Sequence, residues 1–259
     1  MKIYIFADME GISGICRKSQ VMSREAHYSE GRKFMTREIN ACIQGCIDGG
    51  AKKIVVRDGH CSGFNILWDE LDERAEYLLG TGGTLRFEGI EGFDGLILLG
   101  YHAMAGTFRG ILEHTYSSTS WQTCWMNGKV VGEFAIDAAI AGHYGVPVIM
   151  TSGDDKLCAE AKPLIKNLVT VQVKEGINTE GGKLLPMKTA HQKIREGAAK
   201  AVKSCSMIKP YKVKTPVTLR LELVERQQPP FHRKDIKLID GRTFEVTGRT
   251  VEEALYKIC

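Results

Sequence analysis

Acids and histidines fall directly after apolar runs at several separate places in this chain. Asp8 and Glu10 follow residues 3–7, His60 follows 54–56, and His102 follows 95–99. Glu133 stands where a short strand turns into a helix. In an extended backbone alternate side chains share a face, so Asp8 and Glu10, spaced i and i+2, converge on one point. Two converging carboxylates repel each other unless a proton or a cation lies between them. A metal site is therefore the first hypothesis, and a solvated acidic turn is the plain alternative. Gly11 and Gly14 let the backbone turn away tightly.

Taken singly, the other residues also have plainer roles. A lone loop histidine is more often hydrogen-bonded structure than a ligand. Glu133 can be a helix-start acid interacting with the macrodipole. Asp58 can be functional itself, or can orient His60 as an acceptor behind it. Joint placement favours the metal reading. Three carboxylates and two imidazoles suit two divalent ions bridged by a carboxylate. The mixed nitrogen and oxygen donors favour Zn over Mg, with Mn and Co as alternatives. Two such ions suit hydrolysis, because they activate a water and polarise a carbonyl or phosphoryl oxygen.

The elements that must position these groups alternate between strand and helix. After the acidic turn, 15–29 is polar and irregular. Met35, Ile39, Cys42, Ile43, Cys46 and Ile47 then mark one face of a helix that starts near Glu30 and stops at Gly49-Gly50. A β-branched strand over 53–57 ends at Asp58-Gly59-His60, completing a strand–helix–strand unit typical of parallel sheets. Residues 65–73 suggest a brief helix and 76–79 a short strand. The apolar run 95–99 reads as a central strand covered on both faces.

Asn127-Gly128 signals a hairpin feeding an Ala-rich helix from Glu133 to about Tyr144. Strands are expected at 148–150 and 169–173, with a helix opened by Asp154 or Asp155 between them. Residues 176–187 look aperiodic. A helix through Ala190, His191, Ile194, Ala198, Ala201 and Val202 follows, then an alternating strand at 217–223 and a helix near 250–258. Open parallel sheets carry ligands at the carboxyl ends of their strands, which is where the acids and histidines fall. The expectation is a three-layer α/β/α fold with a mainly parallel sheet, a catalytic domain over 1–180 and a smaller α+β part over 181–259.

Composition narrows the class. A chain of 259 residues with 43% hydrophobic and 25% charged content is an ordinary globular protein of one large domain with an appendage. The net charge of +4 is spread out, which argues against a nucleic-acid partner. No run approaches the roughly 18 apolar residues of a membrane span. The five apolar or aromatic residues before Asp8 are too few for a signal-peptide core. No membrane partner and a cytoplasmic location are expected. The eight cysteines include no CxxC pair, so a disulfide framework is not expected. Cys61, beside His60, is read as a buried spectator thiol, with a soft metal ligand as the alternative.

Several of these stretches are familiar as a set. Asp8-Met9-Glu10-Gly11-Ile12-Ser13-Gly14, Asp58-x-His60, Gly100-Tyr101-His102-Ala103, Asn127-Gly128-x-x-Val131-Gly132-Glu133 and Gly153-Asp154-Asp155 occur in this order. Together they resemble the zinc-dependent D-aminopeptidase family, the self-compartmentalising enzymes of bacterial dipeptide-transport operons. The resemblance covers about 1–180 and implies a co-catalytic dinuclear zinc site. It implies that Asp8 bridges both ions, that Glu10 and His102 serve one, and that His60 and Glu133 serve the other. It also assigns His114 a catalytic part, as nucleophile or as a group that stabilises an oxyanion or shuttles a proton. A homodecamer with an internal chamber open to short peptides is implied as well.

This chain departs from the family in reading Gly59 where a serine is expected and Glu113 beside His114, and it matches only loosely over 206–259.

The leading expectation is thus a metal-dependent aminopeptidase acting on short peptides, with a D-residue at the N-terminus left open. A two-metal phosphoester hydrolase is the alternative, although no GxxxxGK[ST] phosphate cradle is present. A non-catalytic, metal-containing peptide-binding or assembly protein is the third reading. Its structural zinc would usually be Cys-rich and closed, unlike this carboxylate-heavy set.

Overall fold

β1 (Lys2–Ala7) is buried from Ile3 onward, as a strand covered on both faces must be. The computed structural model describes residues 1–80, 85–226 and 229–258. In chain order β1 is followed by α1 (Tyr28–Asp48), β2 (Lys53–Asp58), β3 (Glu76–Leu78) and β4 (Gly95–Leu99). Next come β5 (Trp121–Met126), β6 (Lys129–Val130), α2 (Glu133–His143), β7 (Val148–Asp154) and α3 (Asp155–Ala161). β8 (Val169–Asn178), β9 (Gly181–Leu184), α4 (Met187–Lys203), β10 (Val217–Leu223), β11 (Ile236–Leu238), β12 (Thr243–Gly248) and α5 (Val251–Ile258) complete the described chain.

The larger sheet runs β3-β2-β1-β4-β7-β8-β9, parallel throughout except for the last pair. α1 buries Met35, Ile39, Cys42, Ile43 and Cys46, and packs along α4. Both strand faces are filled: Tyr4 and Phe6 meet Phe87 edge-on, while Ile3 and Ile5 are wholly buried. Each such side chain contributes about 1.5–3 kcal/mol relative to exposure. The fold is the expected α/β arrangement of a mainly parallel sheet between helices.

A second, antiparallel sheet runs β11-β12-β10-β5-β6. The Asn127-Gly128 turn does join β5 to β6, and β5 then pairs with β10, almost a hundred residues later. Two local expectations are corrected. Residues 176–187 are not aperiodic, since β8 continues to Asn178 and turns into β9. Pairing with a buried neighbour overrides the weak strand preference of their glycines. The brief helix expected over 65–73 is a single 3₁₀ turn at Trp68–Glu70.

Candidate metal centre

β1 has β2 on one side and β4 on the other. The chain leaves β1 for one neighbour and later returns to the opposite one, so the carboxyl end of β1 is a switch point where a crevice opens. Asp8 leaves that end with its N–H donating to Leu99 O at 2.8 Å. The turn after it presses on the turn after β4. A Cβ on Gly11 would lie 1.9 Å from Tyr101 O, so only glycine permits the approach.

From the far side, buried Lys174 on β8 donates its ammonium to the carbonyls of Glu10, Ile12 and Ile15. Burial pushes this lysine down to about 8, against the pull of Asp154 and Glu38. A lysine on a strand that also carries Thr170, Gln172 and Glu175 gives no sign in the sequence of this bracing role.

The predicted residues come together. Asp8, Glu10 and His60 form one group, and His102, His114 and Glu133 another, with the ligand-type atoms of each within 4.8 Å of one another. All but half-buried His114 are buried. His60 Nδ1 lies 3.0 Å from Asp8 Oδ1 and 3.1 Å from Glu10 Oε2. His102 Nε2 lies 3.4 Å from Asp8 Oδ2 and 3.6 Å from Glu133 Oε2. Asp8 therefore reaches both groups, one oxygen to each. These neighbours differ from the division implied by the resemblance, because His60 sits with Glu10 and His102 with Glu133.

Each imidazole is oriented in the same way. His60 Nε2 donates to Val21 O at 2.8 Å, His102 Nδ1 to Ala103 O at 3.1 Å, and His114 Nδ1 to Leu112 O at 2.8 Å. A carbonyl only accepts, so the bonded nitrogen carries the hydrogen and the other nitrogen turns to the site. Such a backbone tether is what metal-binding histidines use to fix tautomer and ring orientation.

The donor set passes a test for a cation. Among the described residues, Glu10 Oε2 and His102 Nε2 are buried and make no hydrogen bond. Burial alone would push the carboxyls up and the imidazoles down. Opposite charge wins instead: His60 holds Glu10 far below the carboxylate range, and His102 holds Glu133 below it. His60 is raised well above its ordinary value by Glu10 and Asp8. His102 is raised to about 10, chiefly by Glu133. The buried carboxylates thus create a demand for positive charge that divalent ions would meet directly.

Asp58 does not join them. It accepts from Asn65 N at 2.5 Å, Asn65 Nδ2 at 2.8 Å and Ile66 N at 3.1 Å, closing the loop that carries His60. It meets the backbone of His60 at 3.4 Å rather than the ring. Cys61 is exposed, not buried, because it begins the turn after His60 with φ +46°; it stands in neither donor group. Asp154, not Asp155, caps α3, and it also accepts from Ile111 N at 2.9 Å in the loop leading to His114.

That loop borders a cavity of about 590 Å³ whose wall includes Glu10, Met22, Leu112, Glu113, His114 and Glu180. Glu113 accepts from Gly106 N at 2.6 Å. Half-buried Arg86 and buried Asp137, behind Glu133, escaped motif reading because each looks like an ordinary surface charge in its own segment.

Known proteins place the chain in a family. Residues 1–258 match the family described as D-aminopeptidase. A D-aminopeptidase from Bacillus subtilis (strain 168) is 35% identical over 214 residues, which span 81% of this chain and 77% of that protein. The solved structure of the Zn-dependent D-aminopeptidase DppA from Bacillus subtilis, a self-compartmentalizing protease, is similar with a TM-score of 0.95 and 30% identity. That similarity covers 100% of this chain and 95% of the other. By sequence and by fold, the chain belongs to the D-aminopeptidase family of peptidases.

Proposed function

We propose that this chain is a zinc-dependent aminopeptidase that removes the N-terminal residue, D-configured residues included, from short peptides. Two zinc ions would be held by Asp8, Glu10, His60, His102 and Glu133, with one oxygen of Asp8 available to each donor group. The observation carrying the proposal is the double reach of Asp8, 3.0 Å to His60 through one oxygen and 3.4 Å to His102 through the other. Asp8 would reach both ions whether the remaining four ligands divide by nearest neighbour or by the resemblance.

Bound zinc supplies Lewis-acid activation of the scissile carbonyl and of a water. The chain's own residues do the rest. His114, tethered through Nδ1, offers Nε2 at the cavity wall to hold a proton or to donate to the developing oxyanion. Val21, Met22 and Leu112 line the same cavity and suit an apolar side chain, while Glu113 and Glu180 suit a free α-amino group. Similarity to a self-compartmentalizing protease supports a closed homo-oligomer, a decamer by family resemblance, that admits short peptides. A cytoplasmic location completes the proposal; among the described residues no helix is long and apolar enough to cross a membrane.

The test is a panel of L- and D-aminoacyl amides and dipeptides beside a chromogenic phosphate ester, assayed before and after chelation. Amide hydrolysis lost on chelation and restored by zinc is the expected result. Chelator-insensitive amide hydrolysis, faster ester turnover, or tight peptide binding without product contradicts it.

A further inference from the structure

One carboxylate joins three segments of the site without facing the metal donors. Asp137, wholly buried on α2, accepts from Arg86 Nε at 3.0 Å and from Tyr116 Oη at 2.9 Å through Oδ1. Through Oδ2 it accepts from Arg86 at 2.8 Å and from Tyr101 Oη at 2.6 Å. Its four acceptor positions are thereby filled. Arg86 is sandwiched between the Phe6 and Tyr116 rings, 4.5 and 5.0 Å from their centroids.

Both tyrosines touch the site through the chain, and Arg86 lies 4.0 Å from Glu133 Oε2. Tyr101 immediately precedes His102. Tyr116 lies two residues beyond His114, and its N–H donates to Glu133 Oε1. Asp137 itself is one helical turn after Glu133. The intervening loop is strained: Arg109, Leu112 and Tyr116 hold φ of 61°, 51° and 56°. Non-glycine residues keep such values only where their surroundings over-determine them.

We propose that Asp137, through Arg86, Tyr101 and Tyr116, is the positioning residue that sets His102, His114 and Glu133 in register. The inference rests on the metal-site reading above. In this role Tyr116 acts as a lever. Its hydroxyl anchors the ring to Asp137, and its backbone N–H holds Glu133. Releasing the hydroxyl lets the strained loop relax, and takes Glu133 and His114 with it.

The experiment compares Tyr116→Phe and Asp137→Asn with the control Tyr144→Phe. That control removes a similar hydroxyl–carboxylate bond, 2.6 Å to Glu252, at the far end of α2. Zinc binding to the chelated full-length chain is measured by calorimetry, and kcat and KM are measured with an aminoacyl amide. Zinc affinity in Tyr116→Phe is expected to fall about 10–100-fold, with kcat reduced and KM unchanged, while Tyr144→Phe behaves as the unsubstituted chain. If Asp137→Asn does not fold, the single-hydroxyl variant still decides. Zinc affinity and kcat in Tyr116→Phe equal to those of Tyr144→Phe would overturn the positioning role. The unsubstituted chain is titrated first. Absence of zinc uptake there defeats the metal reading itself, whereas normal uptake with an unaltered Tyr116→Phe defeats only the inference.

Discussion

His102 and His114 stack face to face, with ring centroids 3.8 Å apart and planes within 10° of parallel. One ring points its free nitrogen at Asp8 and Glu133, and the other borders the open cavity. The stack thus couples a buried donor to a group that can meet substrate, and flat contact holds His114 in place without a covalent or ionic tie.

Because His114 is half-buried at the cavity while the other donors are buried, its loss should affect chemistry more than metal. His114→Ala is expected to lower kcat by about 10²–10⁴-fold, the range for a positioned acid or base. Zinc content should stay that of the unsubstituted chain. Metal analysis beside steady-state kinetics checks this; loss of zinc in step with activity would make His114 a ligand instead.

Lys174 is expected to be indispensable to the acidic turn. Lys174→Met leaves three buried carbonyls without their donor, and each unsatisfied group costs about 1–3 kcal/mol. Relief of burying the ammonium offsets part of that. A net loss of about 3 kcal/mol in urea unfolding, with weakened zinc binding, is the expected outcome. Unchanged stability would show that the turn holds itself.

Glu160 gives a pH test at a carboxyl outside the ligand set, against the backbone that follows His102. Burial raises its carboxyl to about 7, against a Met104 N–H bond at 2.9 Å. A carboxyl raised in the folded state favours folding while protonated. Its contribution is complete below the unfolded value near 4.5 and is lost as pH rises through about 7. Glu160→Gln in the zinc-free chain should therefore melt higher than the parent at pH 8, with the gap closing towards pH 5. A gap independent of pH would contradict the shift.

Much of this was legible in the sequence, for identifiable reasons. Asp8, Glu10, His60 and His102 each follow an apolar strand, so a parallel sheet necessarily delivers them to one edge. Glu133 was legible from the Asn127-Gly128 turn that feeds its helix. What escaped depends on long-range contact. β5 finds β10 across the sequence, and no local period encodes that pairing. Lys174, Arg86 and Asp137 each look like ordinary surface charges until folding sets them against carbonyls, rings and hydroxyls. In the sequence Asp58 is open to a functional role or to orienting His60, yet loop amides consume its lone pairs.

Zinc stoichiometry in two neighbouring variants is the most direct test of the account. Chelated protein is titrated with zinc and its bound metal counted for the unsubstituted chain, Asp8→Ala and Glu10→Ala. A shared Asp8 predicts two ions in the first, disruption of both sites in the second, and one retained ion in the third. Two ions still bound after Asp8→Ala, or a single ion in the unsubstituted chain, would contradict a dinuclear centre built on Asp8.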